Sequence, residues 1–328
     1  MATLNYQSLT LLDHVKRRAP DGSIAAVAEV LAQTNPMIED MPMMECNNGT
    51  AHKVVIRTGL PEVYFRNLNQ RVPSSKSTTA QVTEATGMLE AWSQCDVKLA
   101  EMNGDVSSFR ASEAVPFMES MGQTAAETFF YGNSAVNPER FNGLSVRYSD
   151  LSADNAKNII DAKGTGTDNT SVWLVCWGDQ TVHGLFPKGS RAGLEHNDLG
   201  METSEVDSNS LLRVYRDQFV WNLGLSVKDW RYAVRIANID VPALVNGTGV
   251  DLHDVMISAL HTLPNMNMGK CCFYMNRTVF NALDLQRRRD VGAAGMTYAE
   301  VDGKLVYDFR GVPIRQADAL VETEERVV

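Results

Sequence analysis

The residues best suited to catalysis in this sequence are Asp179, His183 and Ser190. An acid, an imidazole and a hydroxyl are the groups of a nucleophilic triad, in which the imidazole takes the proton of the hydroxyl. Asp179 and His183 flank a predicted turn, so their side chains could meet. Ser190 follows a glycine-containing loop and lacks the Gly-x-Ser-x-Gly turn that exposes a catalytic serine. The sequence therefore favours a structural role for all three.

Two short pairs have the side chains of metal ligands: His196 with Asp198, and His253 with Asp254. A zinc site needs three or four protein ligands, and neither pair has further ligands at a recognisable spacing. No phosphate-binding, dinucleotide-binding or His-Glu-x-x-His motif occurs. We therefore predict no catalytic, cofactor-binding or metal-binding residue. No C-x-x-C pair occurs either, and we interpret the five cysteines as buried thiols of a reducing cytoplasm: Cys46, Cys95, Cys176, Cys271 and Cys272.

Charge and composition limit the functional classes. The chain has 328 residues, with 30 Lys and Arg against 40 Asp and Glu, and a formal net charge of −10. This excess of negative charge argues against a surface that binds the phosphate groups of a nucleic acid. It is compatible with a protein that lies near DNA without binding it. A hydrophobic content of 44% is sufficient for a core. We find no signal peptide and no apolar run long enough for a bilayer, which predicts a protein that does not enter membranes.

A long helix is the element around which the chain is organised. Small and apolar residues recur at helical spacing and predict a stripe that faces a core: Ala114, Met118, Met121, Ala125 and Phe129. Ser112 is a candidate N-cap, which would place Pro116 in the first turn; a start at Ser107 or Ser108 predicts a kink at Pro116 instead. Gly132 and Asn133 are predicted to end the helix in the left-handed region.

A two-stranded ribbon is predicted over residues 52–101. Val54, Ile56, Val63 and Phe65 have strand spacing in the outgoing limb, a second extended region runs from 88 to 99, and the polar segment 72–81 forms the tip. The outgoing limb and tip carry five basic residues against Glu62 alone, a local net charge of +4: Lys53, Arg57, Arg66, Arg71 and Lys76. An isolated ribbon is marginally stable, so a basic ribbon indicates either a partner or a solvated hairpin.

The rest of the chain alternates strands and helices. We predict strands at 145–150, 172–177, 182–186, 211–221, 224–237, 271–275, 298–302, 304–307 and 312–315, helices at 153–162, 250–263 and 278–289, and a loop at 185–200. The tail, 317–328, has a net charge of −3 and includes Glu322, Glu324 and Glu325. Its charge complements that of the ribbon, so we predict that these glutamates and the five basic residues above form contacts between copies of the chain.

The order and spacing of three sequence segments indicate a family resemblance: FFYGNSAVNPERFNGL, WGDQTVHGLFPKGS and DFRGVPIRQADAL. The sequence resembles the major capsid proteins of tailed bacteriophages, of the kind found in short-tailed phages such as epsilon-fifteen and the Bordetella phage. The resemblance implies the α+β Hong Kong 97 fold. It further implies an N-terminal arm (1–51), an extended β-hairpin loop (52–101), a peripheral domain with a long spine helix (102–150 and 300–328) and an axial domain (151–299).

The resemblance also implies a function. A protein of this family is expected to form pentamers and hexamers of an icosahedral head that encloses double-stranded DNA, without enzymatic activity or a cofactor. Expected partners are other copies, scaffolding and decoration or cement proteins, a portal, and packaged DNA by proximity without sequence-specific binding. The expected location is the virion, after assembly in the host bacterial cytoplasm. Two alternatives stay open: a cytosolic α/β enzyme with a site near residues 173–200, and a phage ring or tube protein outside the shell.

Overall fold

The computed structural model describes residues 33–49, 51–102, 104–207, 210–289, 296–301 and 304–328. The predicted arm, 1–51, therefore lies largely outside the described residues. Those residues contain seven α-helices, none of which is long and apolar enough to span a membrane. The helices are α1 Met37–Asp40, α2 Val97–Glu101, α3 Val106–Tyr131, α4 Leu144–Arg147, α5 Val241–Val245, α6 Leu252–Thr262 and α7 Arg277–Arg289.

Strands account for most of the remaining regular structure. They are β1 Met43–Glu45, β2 Ala51–Gly59, β3 Thr78–Asp96, β4 Ile159–Asp161, β5 Asn169–Trp177, β6 Val182–Phe186, β7 Leu194–Asp207, β8 Ser210–Val227, β9 Ala233–Asp240, β10 Lys270–Met275, β11 Met296–Val301, β12 Lys304–Phe309 and β13 Val312–Gln316. These bounds confirm eight of the predicted elements to within a few residues. They are the strands at 172–177, 182–186 and 271–275, the three C-terminal strands, and the helices at 250–263 and 278–289.

The described chain divides into two compact units. The smaller unit comprises residues 33, 88–125 and 193–222, and the larger unit comprises 34–87, 126–192 and 223–328. Long elements such as α3, β3 and β8 contribute residues to both. This division cuts across the boundaries expected for the peripheral and axial domains, which stay a prediction.

The smaller unit contains a sheet with a helix on one face. β7 and β8 form an antiparallel hairpin in which Gly200 lies opposite Arg216. Residues 88–96 of β3 also belong to this unit, and Cys95 packs with Leu99 of α2 and Phe109 of α3 in a small core. Phe117 of α3 stacks on Phe219 of β8 with 6.3 Å between the ring centroids. The helix therefore covers one face of this sheet.

The larger unit is built around β5. Its strands follow the order β11-β12-β13-β10-β5-β6-β8-β3-β2, with β9 also paired to β5, β4 to β9 and β1 to β6. Every residue of β5 is buried, as expected for a strand covered on both faces. On one face Val172 and Leu174 join a core that includes residues of α6 and α7. On the other face Trp173 contacts the rings of Phe130 and Tyr148.

Helix α3 begins earlier than a cap at Ser112 predicts. The Asp105 carboxylate accepts hydrogen bonds from the backbone N–H groups of Ser107 and Ser108, at 3.1 and 3.2 Å. A hydrogen bond from the Ser107 hydroxyl, followed by these backbone bonds, lowers the pKa of Asp105. Ser112 instead donates its hydroxyl to the Phe109 carbonyl, and Pro116 lies inside the helix. The cap prediction is wrong because Asp105, seven residues before Ser112, satisfies the orphan donors of the first turn. The alternative, a kink at Pro116, stays a prediction.

The apolar stripe of α3 is only partly a core face. Met121, Ala125 and Phe129 are buried, whereas Met118 is exposed and Ala114 is half-buried. The helix end also differs from the prediction, because neither Gly132 nor Asn133 has a positive φ angle. Glycine is required at 132 by crowding, since a Cβ atom there would lie 2.4 Å from the Phe141 carbonyl oxygen.

The ribbon is shorter and its tip longer than predicted. β2 and β3 pair antiparallel between residues 51–59 and 78–85, and residues 60–77 form the connection without a strand. Val63 and Phe65 lie in that connection, and residues 97–101 form a helix rather than extended chain. A strand in the connection would need a neighbouring strand to form hydrogen bonds with its backbone. The spacing of apolar residues does not show whether such a neighbour is present.

Four other local predictions are wrong. Residues 144–147 form a helical turn that buries Leu144 and Tyr148, four residues apart, instead of a strand. Residues 159–161 form β4 because they pair with β9, so the predicted helix at 153–162 is absent. The predicted loop at 185–200 includes the start of β7, and the predicted strand break at 222–224 is bridged because β8 changes partner there, from β7 to β6.

Candidate functional site

The three triad candidates do not form a triad. The Ser190 hydroxyl donates to the Pro187 carbonyl at 2.8 Å, and Asp179 uses its backbone carbonyl to accept from the Lys228 amine at 2.7 Å. His183 is completely buried, and neither of its ring nitrogens has a hydrogen-bond partner among the described residues. The imidazole therefore has neither the acid nor the hydroxyl that the triad requires.

Three residues of the two candidate metal-ligand pairs lie beside charged partners outside their own pair. Asp198 forms an ion pair with Arg110, while His196 Nε2 lies 2.9 Å from Asp217 Oδ1. His253 Nδ1 is 3.8 Å from Asp251 Oδ1, so its acidic neighbour is Asp251 rather than the predicted Asp254. Within the part of the chain that the structure describes, no three His, Cys, Asp or Glu side chains are grouped as metal ligands. All five cysteines are free and buried, as predicted.

His183 instead packs against a second buried histidine. The rings of His52 and His183 meet edge to face, 5.9 Å apart. Burial lowers the pKa of His183 to about 4, and the charges of Lys228 and His52 add to the effect. Burial, followed by Lys228, also lowers the pKa of His52, against the opposing influence of Glu84. Both rings are therefore neutral at neutral pH.

Stability should consequently fall in mild acid. The unfolded chain takes up a proton at His183 near pH 6.5, whereas the folded chain resists protonation until about pH 4. We expect the free energy of unfolding to decrease through this window by on the order of 2–3 kcal/mol. Urea unfolding at pH 7 and pH 4.5 measures the difference. His183→Leu should flatten it, and the same change at the exposed His261 should not; equal slopes in both variants would contradict this assignment.

The connection between β2 and β3, residues 60–77, is the most exposed apolar segment described. Four side chains are each at least 82% exposed: Leu60, Val63, Phe65 and Leu68. The five basic residues of the ribbon, Lys53, Arg57, Arg66, Arg71 and Lys76, are also exposed, and none forms an ion pair with another described residue. We call residues 60–77 the exposed loop. It combines positive charge with uncovered apolar surface.

The root of the ribbon is firmly held, in contrast to its loop. Glu84 of β3 is buried and accepts two parallel hydrogen bonds from the Arg147 guanidinium, both at 2.6 Å. Such a bidentate pair neutralises the buried charge and also fixes the orientation of the two side chains. Close packing adds to this, because a Cβ atom at Gly87 would lie 3.1 Å from the Glu139 carbonyl oxygen. The ribbon therefore projects the exposed loop from a rigid base.

The acidic tail is not a free surface. Arg235 is 4% exposed and Glu324 is 7% exposed, and Nη2 of the arginine lies 2.8 Å from Oε2 of the glutamate. Arg235 also donates to Ser171 Oγ and to the Tyr148 carbonyl, at 3.0 and 2.8 Å. Tyr131 donates to Glu324 Oε1 at 2.5 Å, and burial together with that charge raises the pKa of the phenol.

Other bonds join the tail to the same unit. Asn238, which has a φ of 59°, exchanges two hydrogen bonds with the backbone of Val327, at 2.8 and 2.9 Å. Thr278 donates to Glu322 at 2.5 Å. Glu324 is thus used within its own chain and is withdrawn from the residues predicted to contact other copies; Glu325 is exposed. Sequence analysis missed Arg235 and Asn238, because no local pattern links residues that are 89 positions from their partners.

Comparisons with known proteins agree with this architecture. A family model described as major capsid protein GP7 matches residues 19–328. A chain from the near-atomic structure of bacteriophage Epsilon15 is 32% identical with a TM-score of 0.77, and the match covers 100% of this chain and 99% of that chain. A comparison with curated protein sequences gives no match.

More distant structures also match. The capsid of bacteriophage JBD30 is 10% identical with a TM-score of 0.46, over 90% of this chain and 95% of that chain. The family assignment does not depend on it. The α+β class and the Hong Kong 97-like fold are confirmed. Because the family model matches all but the first 18 residues and the Epsilon15 chain matches from end to end, the protein belongs to the major capsid protein GP7 family.

Proposed function

We propose that this chain is the subunit that forms pentamers and hexamers and tiles them into an icosahedral head enclosing double-stranded DNA. The exposed loop is the observation that supports assembly most directly. Its four apolar side chains are left uncovered by the described part of the chain. Burial of each against a neighbour would contribute about 1.5–3 kcal/mol before the cost of ordering the loop. A contact that is repeated between identical copies would bury these four side chains in every subunit.

Charge supports a shell that encloses DNA without adhering to it. The net charge of −10 opposes retention of phosphate groups, which would hinder packaging and ejection of a genome. The virion shell is the location that the family indicates. We further propose assembly in the host bacterial cytoplasm, with scaffolding, decoration or cement, and portal proteins as partners. These proposals rest on the family resemblance.

The first test is negative-stain electron microscopy of the chain, expressed alone and together with its neighbouring genes. We expect closed particles or five- and six-fold rings. Phe65→Ser should reduce their yield about tenfold or more, because it removes one buried aromatic from every subunit contact. Val136→Ser, which alters an exposed apolar residue outside the loop, is the matched control. A homogeneous monomer or dimer in both expressions would refute the proposal.

The same images separate the remaining alternatives. A ring or tube protein outside the shell would give single rings or tubes without closed particles. An enzyme with its site near residues 173–200 would remain a soluble monomer whose activity depends on His183. The complete burial of that side chain in the described structure offers no route for a substrate. We therefore place assembly ahead of catalysis.

A further inference from the structure

Two buried cysteines lie opposite each other on neighbouring strands. In the antiparallel pairing of β5 with β10, Cys176 is the direct partner of Cys271. Directly opposite residues point to the same face of a sheet, and both side chains belong to the apolar core that includes residues of α6 and α7. The next residue, Cys272, lies opposite Val175 and points to the other face. We call Cys176 and Cys271 the cross-strand pair.

The spacing of the cross-strand pair fits a disulfide. Directly opposite residues of an antiparallel pair have Cα atoms about 4.5–5.5 Å apart, and disulfide-bonded cysteines have Cα atoms about 4.4–6.8 Å apart. The two thiols already interact, since a hydrogen bond between them lowers the pKa of Cys176 and raises the pKa of Cys271. The two sulfur atoms can therefore be joined without a change in strand register.

A short exposed turn lies between the cross-strand pair and the solvent. Cys271 is 8% exposed, whereas Cys176 is completely buried. The Sγ atom of Cys271 lies 3.4 Å from the carbonyl oxygen of Met266, and that residue belongs to the exposed segment 264–268. The pair thus lies at the edge of the core, where a small oxidant such as hydrogen peroxide can reach it and a bulky disulfide reagent cannot.

We propose that the cross-strand pair is a dithiol that a peroxide converts into a disulfide between β5 and β10. The chemistry of this site is separate from the proposed function, but its setting rests on it. A protein assembled in the cytoplasm keeps its thiols reduced, and a released virion enters an oxidising environment in which disulfides persist. The bond would close the segment 176–271, which restricts the unfolded chain and so stabilises the folded one.

The reaction consumes one peroxide molecule and two thiols. The first sulfur attacks a peroxide oxygen, the O–O bond breaks, and the displaced hydroxide takes the thiol proton to form water, which leaves a sulfenic acid. The second sulfur then attacks the sulfenic sulfur. The S–S bond forms as the S–O bond breaks, and the hydroxide leaves with the second thiol proton as water. The two thiols lose two electrons, and these reduce the peroxide to two molecules of water.

Peroxide treatment of the purified chain tests the proposal. The treated chain is unfolded in urea with a thiol-alkylating reagent, and its mass is measured. We expect two of the five thiols to escape alkylation until dithiothreitol is added. Cys176→Ala and Cys271→Ala should each keep all of their remaining thiols reactive, whereas Cys272→Ala, the buried neighbour on the other face, should lose two as wild type does. Five reactive thiols in the treated wild type, or a disulfide that survives in Cys271→Ala, would overturn the pairing.

The melting temperature provides a second readout. Oxidised wild type and oxidised Cys272→Ala should each melt about 5 °C above their reduced forms, and Cys176→Ala should show no such difference. Circular dichroism before heating checks that each variant is folded. The main comparison is between two forms of the wild-type chain, so it holds even if a variant fails to fold, and equal melting temperatures would refute the stabilising role. Neither measurement requires particles, so a failure of assembly would refute the shell function and leave this test valid.

Discussion

Replacement of Arg235 by alanine is expected to lower the free energy of unfolding by about 3–5 kcal/mol. Glu324 would remain buried with hydrogen bonds from Ser171 and Tyr131 but without a cation. Urea unfolding of the isolated chain at pH 7 measures the change. The pair joins the tail to β5 and β9, so hydrogen exchange of residues 321–328 should accelerate in the same variant.

An exposed ion pair of the same unit provides the control. Arg277 lies 3.1 Å from Asp318, but its side chain is 70% exposed. Arg277→Ala should therefore cost less than about 1 kcal/mol. The joint replacement Arg235→Met with Glu324→Leu should cost less than Arg235→Ala, because no charge remains buried. Equal decreases in the free energy of unfolding for Arg235→Ala and Arg277→Ala would show that the buried pair contributes no more to stability than the exposed pair.

Gly132→Ala is expected to destabilise the chain by about 3 kcal/mol. The added methyl group would lie 2.4 Å from the Phe141 carbonyl oxygen and 2.5 Å from that of Thr128. Both are backbone atoms, so neither can rotate away as a side chain would. Relief requires separation of the end of α3 from residues 141–143, which the Gly143 N–H to Gly132 carbonyl bond holds together at 2.8 Å.

The same substitution ten residues earlier should have the opposite sign. Gly122 lies inside α3, and a Cβ atom there would meet no atom within 4 Å outside the helix's own backbone. Gly122→Ala should stabilise the chain by about 0.5–1 kcal/mol, because alanine loses less backbone entropy in a helix. Thermal unfolding of the two variants beside wild type measures both effects. A stabilising Gly132→Ala would refute the close approach.

Some elements could be predicted because their signal is contained in one short segment. The continuous apolar run at 172–177 predicts a strand buried on both faces, and β5 is such a strand. The spacing of Leu252, Met256 and Leu260 predicts one helix face, and all three are buried in α6. The five basic ribbon residues are exposed, as predicted, but their contacts with other copies stay a prediction.

Other elements could not be predicted because distant partners decide them. Residues 222–224 have the composition of a turn, yet β8 continues through them because strands β7 and β6 pair with it in succession. Glu324 has the sequence setting of a surface acid, but Arg235 holds it in the interior. Burial of a charge depends on a counter-charge, and a sequence does not state which residue provides it.

The sequence by itself determined the family resemblance, the α+β class, the long helix and the basic ribbon, because periodicity, composition and ordered phrases are local properties. Only the tertiary structure decided where the charges are used. It placed one tail carboxylate in the core and, among the described residues, left the apolar side chains of the loop exposed. The physical reason is that side-chain burial and charge pairing arise from contacts between residues far apart in the chain, and folding alone creates those contacts.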